Sequence, residues 1–144
     1  MLVGEFHHNL DPKKRLAVPA KFRKDLGVRI VLTRGLDACL FLYSEKTWGE
    51  LAERLGQLPT GQAATRSFVR LVLSGAAEAE TDRLGRILIP EYLRAYAELG
   101  KRVVLAGVYN RVEIWNEERW QHYRAQSEEN VDEIAEKLGT IGAY

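Results

Sequence analysis

A chain of 144 residues has the size of one ordinary domain, on the rough prior of ~100–200 residues per domain, and can bury a core of its own. With 46% hydrophobic, 28% charged and 9% aromatic residues, its composition is that of a globular chain and excludes a disordered, collagen-like or disulfide-scaffold protein. A formal net charge of +1 excludes a histone-like polycation, and the single Cys39 excludes an internal disulfide. Between Ala38 and Leu40 that thiol reads as a small buried hydrophobe. No apolar run approaches the ~20 residues of a membrane span, and the start Met1-Leu2-Val3-Gly4-Glu5 lacks a leader's basic and apolar regions, so no membrane contact and a cytoplasmic location are expected.

Taken in chain order, residues 5–10 form a short, partly alternating strand, Asp11-Pro12-Lys13-Lys14 has turn chemistry, and Leu16 and Val18 place apolar residues two apart before Pro19. This predicts a hairpin leading into a helix of about two turns, with Pro19 at the first helical position and Gly27 in the left-handed position past its end. Two β-rich runs follow, residues 30–33 and 39–43. Ser44 is an N-cap type, and Trp48, Leu51, Ala52 and Leu55 recur at the spacing of an amphipathic helix. A connector helix carries Ala64, Phe68, Leu71 and Val72 on one face. The same order then returns, with strands at 103–106 and 112–115, Asn116 as a second N-cap and Trp120 as a second aromatic anchor. A last helix has a stripe of Val131, Ile134, Ala135 and Leu138.

The recurrence is specific. Asp11-x-x-x-Arg15-x-x-x-Pro19-x-x-x-Arg23 returns 71 residues later as Asp82-x-x-x-Arg86-x-x-x-Pro90-x-x-x-Arg94. Gly4 matches Gly75; after a two-residue insertion, Gly27, Arg29, Val31 and Leu32 match Gly100, Arg102, Val104 and Leu105, and Gly100 is expected to end its helix as Gly27 does. The expected organisation is a first repeat over residues 5–47, connecting helices over 48–75, a second repeat over 76–119 and a helical acidic tail over 120–144. Neither unit has enough core alone, so the fold class expected is α+β, mainly β: the two repeats close around one core as a small pseudo-symmetric barrel with peripheral helices. Charge is polarised along the chain. Residues 1–34 hold eight basic and three acidic residues, whereas residues 125–144 hold five acids and Lys137 alone.

The segment Asp82-Arg83-Leu84-Gly85-Arg86-Ile87-Leu88-Ile89-Pro90 resembles the signature of AbrB-like, swapped-hairpin DNA-binding proteins. Two such units, with Gly4-Glu5-Phe6, Leu32-Thr33-Arg34-Gly35-Leu36-Asp37 and Ser74-Gly75-Ala76-Ala77-Glu78, resemble the MraZ family over nearly the whole chain. The resemblance implies a double-split β-barrel, a ring-shaped homo-oligomer, and a nucleoid-associated transcriptional regulator, usually a repressor, of its own operon in the division and cell-wall cluster. It implies double-stranded DNA as partner, bound at repeated promoter elements. One departure stands out: Lys14 occupies the position held by Gly85 in the second copy and usually by glycine in the family.

An Asp and an Arg four apart across a tight turn can face each other, and an isolated pair of this kind is more often a surface brace. Doubled and in basic company, the motif supports nucleic-acid contact, because an arginine fork can bond guanine O6 and N7 together and a two-stranded ribbon fits the major groove. Arg15 and Arg86 are the expected base or groove contacts; Lys13, Lys14, Arg83, Lys21 and Arg23 the expected phosphate contacts; Asp11 and Asp82 orient the arginines. Catalysis finds no support. His7 and His8 alternate to opposite strand faces, His122 lies on a helical segment, and there is no Gly-rich phosphate loop, paired-Cys spacing or nucleophile elbow. No catalytic residue, metal, cofactor or small-molecule substrate is expected. The competing reading is a protein-interaction or antitoxin-like module, in which the striped acidic tail engages a partner.

Overall fold

The computed structural model describes residues 1–144 as a mixed α+β fold. In chain order it contains β1 (Leu2–Asn9), β2 (Arg15–Ala17), α1 (Ala20–Leu26), β3 (Arg29–Arg34), β4 (Leu40–Ser44), α2 (Glu45–Gly56) and α3 (Ala63–Ser74). There follow β5 (Ala77–Glu80), β6 (Arg86–Leu88), α4 (Glu91–Tyr96), β7 (Arg102–Tyr109), β8 (Val112–Asn116), α5 (Glu117–Glu129) and α6 (Val131–Thr140). Six strands form one antiparallel sheet in the order β1-β7-β8-β4-β3-β5, and β2 and β6 form a separate two-stranded ribbon.

The hairpin expected from β1 and β2 does not form as a ladder. β1 pairs with β7 of the other repeat, β5 pairs back with β3, and β2 and β6 pair with each other. Each repeat therefore lends its first strand to the other. The registers are symmetric: Leu16 faces its own counterpart Ile87, while Arg29↔Glu80 and Asn9↔Arg102 are the same pair in the two copies. The six-stranded sheet is open, with β1 and β5 as its edges, rather than closed by ladder pairing.

Period-two alternation assigns the two sheet faces. Ile30, Leu32, Leu40, Leu42, Val103, Leu105, Val112 and Ile114 point into the main core, where they meet Leu16 and Ile87 of the ribbon, Phe22 of α1 and Leu93 of α4. That core draws on both repeats, as expected. On the opposite face, Cys39, Val104 and Trp115 pack with Phe41 and Trp120 under α5. Cys39 is fully buried, and desolvation pushes its thiol pKa up. Thr33, buried on the same face, donates its hydroxyl to the Val72 carbonyl at 2.6 Å and so ties α3 to β3.

Helix boundaries follow local chemistry with two corrections. Ser44 and Asn116 cap α2 and α5, accepting from Thr47 N–H at 3.2 Å and Arg119 N–H at 3.1 Å. Pro19 and Pro90 are the N-cap residues rather than the first helical ones, since their ψ of 139° and 149° is extended. Gly27 is left-handed at φ 78°, whereas Gly100 is not; the two inserted residues let Glu98 take the left-handed turn at φ 52°. Finally, the connector and tail helices bury less than their stripes suggest: only Val72 of α3 is buried, and no residue of α6 is. No helix is long and apolar enough to cross a membrane.

Candidate nucleic-acid interface

The two Asp-x-x-x-Arg segments fold into matching turns. In the first, Asp11 Oδ1 accepts from the backbone N–H of Lys13 at 2.9 Å and of Arg15 at 2.8 Å, and Oδ2 accepts from Arg15 Nε at 2.7 Å. In the second, Asp82 Oδ1 accepts from the N–H of Leu84 and of Arg86, both at 2.9 Å, and Oδ2 accepts from Arg86 Nε at 2.8 Å. A short acid able to reach its own backbone two residues on is what such a turn requires. The backbone N–H of Arg15 and of Arg86 are the leading cause that holds the Asp11 and Asp82 carboxyls below the usual range, helped by the guanidinium groups against some desolvation.

The turns are also joined to each other. Val18 N–H donates to the Gly85 carbonyl at 2.9 Å, and Ile89 N–H donates to the Lys14 carbonyl at 3.3 Å. Arg86 Nη1 lies 3.7 Å from Asp11 Oδ2, so one carboxylate touches both arginines. The arginine side chains are 32% and 27% exposed for Arg15 and Arg86: each is anchored through Nε and keeps part of its fork at the surface.

The left-handed position in each turn is occupied by Lys14 at φ 64° and Gly85 at φ 75°. Lys14 adopts the strained backbone that glycine adopts freely. Gly85 has a second reason to be glycine. A Cβ there meets Arg23 Nη1 at 1.6 Å, because the Arg23 guanidinium of α1 lies over it and reaches the Leu84 carbonyl at 3.5 Å.

The structure thus brings most of the expected contact residues together. Lys13, Lys14 and Arg83 are exposed on the turns, and Arg23 joins the second turn although its own repeat carries the first. Lys21 is set apart. Its Nζ lies 3.7 Å from a Cβ position at Gly4 near the start of β1, roughly 20 Å along an extended strand from Asp11 at ~3.3 Å per residue. Two features escaped the sequence reading. Leu84 is exposed at the tip of the second turn, where the first turn has Lys13. His7 stands between Glu5 (Nε2 to Oε1, 2.8 Å) and Glu117 (Nδ1 to Oε2, 3.2 Å), and Arg124 closes on Glu5 at 2.9 Å, which ties β1 to α5. The hydrogen bond to Glu5, followed by that to Glu117, raises the His7 pKa.

Two braced turns with Lys13, Lys14, Arg15, Arg83 and Arg86, and Arg23 of α1 beside the second, bring six basic side chains together with two carboxylates, a platform that suits an anionic surface. A family model described as "MraZ protein, putative antitoxin-like" matches the chain twice, at residues 1–71 and 72–140. The chain belongs to the MraZ family. Proteins named "Transcriptional regulator MraZ" are similar along almost the full length. The one from Desulforamulus reducens is 50% identical over 96% of this chain and 97% of its own length. That from Moorella thermoacetica is 49% identical over 96% of both chains, and that from Pelotomaculum thermopropionicum 51% identical over 96% and 95%. Members of the family are named as transcriptional regulators and not as enzymes.

Proposed function

We propose that this chain is a DNA-binding transcriptional regulator that reads repeated elements in double-stranded DNA through its paired turns. The single observation carrying this reading is that two Asp-braced arginines sit in one joined platform, surrounded by Lys13, Lys14, Arg23 and Arg83. Bracing has a physical use. An arginine tethered through Nε loses little further freedom when its terminal nitrogens meet a guanine edge, and a good bidentate contact discriminates by ~1–3 kcal/mol. Asp11 and Asp82 orient the forks and do not touch the DNA, since a carboxylate near phosphate is repelled. The β2–β6 ribbon that bears the turns has the width the major groove admits.

The protein acts as a ring-shaped homo-oligomer, its fold the double-split barrel, and represses the operon in the division and cell-wall cluster that encodes it, in the cytoplasm at the nucleoid. The names of its relatives support the regulatory role. One platform has modest charge, so copies linked in a ring gain by avidity, roughly 10²–10⁴ where spacing matches, and favour DNA with regularly repeated elements. The test is binding to a labelled fragment of the upstream region against a shuffled fragment, over a salt series, with Arg15→Ala and Arg86→Ala in parallel. Sequence preference lost in both variants, with circular dichroism unchanged, is the expected result. Binding indifferent to sequence and to both arginines reduces the turns to structural braces.

A further inference from the structure

The outer face of the β2–β6 ribbon is a small grid. Strand alternation sends Leu16 and Ile87 into the core and leaves Arg15 and Ala17 of β2, with Arg86 and Leu88 of β6, on the opposite face. The antiparallel register sets Leu88 across from Arg15 and Ala17 across from Arg86, so the arginines lie on one diagonal and the apolar residues on the other. Residues opposite each other in such a ladder have Cβ atoms ~4.5–5.5 Å apart. The pseudo-two-fold that exchanges the arginines also exchanges Leu88 with Ala17 and, at the turns, Leu84 with Lys13. Arg86 therefore stands between two leucines in the chain, and Arg15 between a lysine and an alanine.

Both leucines lie in water, Leu84 69% and Leu88 58% exposed. One scattered exposed leucine is ordinary; two on the single strand and turn that carry Arg86, absent from the matching places around Arg15, are a patterned surface. Their positions are tied to the arginines. Asp82 Oδ1 accepts from the N–H of Leu84 as well as that of Arg86, and the Leu84 carbonyl accepts from Arg23 Nη1 at 3.5 Å. Leu88 is held by its ladder position beside Arg15. A duplex offers such side chains few partners. Phosphates and sugars give a leucine only the cost of desolvating them, whereas the thymine 5-methyl projects into the major groove and is met there by apolar side chains.

We infer that Leu84 and Leu88 are specificity residues that bury thymine 5-methyl groups next to the bases met by the arginine forks. This deepens the proposed function and rests on its reading of double-stranded DNA from the major groove. It makes the recognised element unequal on its two sides: the β6 side of the ribbon demands thymine, and the β2 side, with Lys13 and Ala17, adds charge without that demand.

The test exchanges thymine for uracil, which removes the methyl and keeps the hydrogen-bonding groups of the base edge. The specific upstream fragment is prepared in thymine and uracil forms, and each is titrated with the unaltered protein and with full-length Leu84→Ala, Leu88→Ala. At ~4-fold per buried methyl, the unaltered protein is expected to bind the uracil form roughly 4- to 16-fold more weakly. The double variant is expected to bind both forms alike, at about the affinity of the unaltered protein for uracil. Both leucines are exposed, so alanine leaves the core untouched, and the uracil titration of the unaltered protein depends on no variant. Equal affinity of the unaltered protein for the two forms overturns the methyl contact, as does a uracil penalty that persists in the double variant and so belongs to the duplex. In either case, preference for the specific over the shuffled fragment leaves the arginine reading standing. Loss of that preference in the unaltered protein overturns both.

Discussion

The first and second turns make the same hydrogen bonds from different residues. Both use an Asp to hold two backbone N–H groups and an arginine Nε, yet one places lysine and the other glycine at the left-handed position. The invariant part is the brace; the variable part is the tip, where Pro12, Lys13 and Lys14 stand opposite Arg83, Leu84 and Gly85. The geometry of the arginine is therefore set by Asp and backbone, and the charge around it is set independently. A molecule built this way can present two arginines in related poses while giving each a different surrounding surface.

The largest effects come from where the repeats meet. Leu16 and Ile87, both buried and paired across the pseudo-two-fold, anchor the ribbon in the shared core. Leu16→Ala and Ile87→Ala are each expected to cost about 2–5 kcal/mol in denaturant unfolding. Because the two side chains share one space, the double variant departs from additivity by ~0.5 kcal/mol or more. Two separate transitions, one per repeat, would contradict a common core.

The left-handed position separates the turns by sign. Lys14→Gly relieves strain and is expected to raise stability by up to ~1–2 kcal/mol. Gly85→Ala lowers it by a similar ~1–2 kcal/mol and displaces the Arg23 guanidinium, so that Arg23 also loses its place beside the second turn. Thermal melts of the two variants moving in the same direction would contradict a strained Lys14 and an unstrained Gly85.

Two pH responses follow with opposite sign. Asp11 and Asp82 have folded pKa values below their ordinary 3.8, so their stabilisation is complete above that value and is lost as pH falls through the folded pKa. His7 has a folded pKa above its ordinary 6.5, so its contribution is full below 6.5 and is lost as pH rises through the folded pKa. Stability measured from pH 5 to 9 is expected to fall slightly more in the unaltered protein than in His7→Gln. The smallest effects are the caps: Ser44→Ala and Asn116→Ala each cost ~1 kcal/mol.

How far the sequence was legible divides along local and non-local lines. The doubled Asp-x-x-x-Arg turn, the Ser44 and Asn116 caps and the burial of Cys39 depend on neighbours within a few residues, and spacing alone discloses them. Strand partnership does not. Nothing in residues 5–10 distinguishes pairing with β2 from pairing with β7, because both offer the same alternation, and the exchange emerges only when two half-cores are closed together. Gly100 failed as a helix terminator because the inserted residues moved the left-handed turn to Glu98. The approach of Arg23 to Gly85 and the Glu5–His7–Glu117 bridge join residues far apart in the chain, and no local pattern carries them.

Base reading by the braced arginines is tested most directly by sequence discrimination in Arg15→Lys and Arg86→Lys, each titrated with the specific and the shuffled upstream fragment over a salt series. Lysine keeps the charge but lacks both the planar fork and the Nε donor that Asp11 and Asp82 hold. Both variants are expected to keep salt-dependent binding to either fragment and to lose the preference between them. Lysine variants that discriminate as well as the unaltered protein would contradict base reading by the arginines.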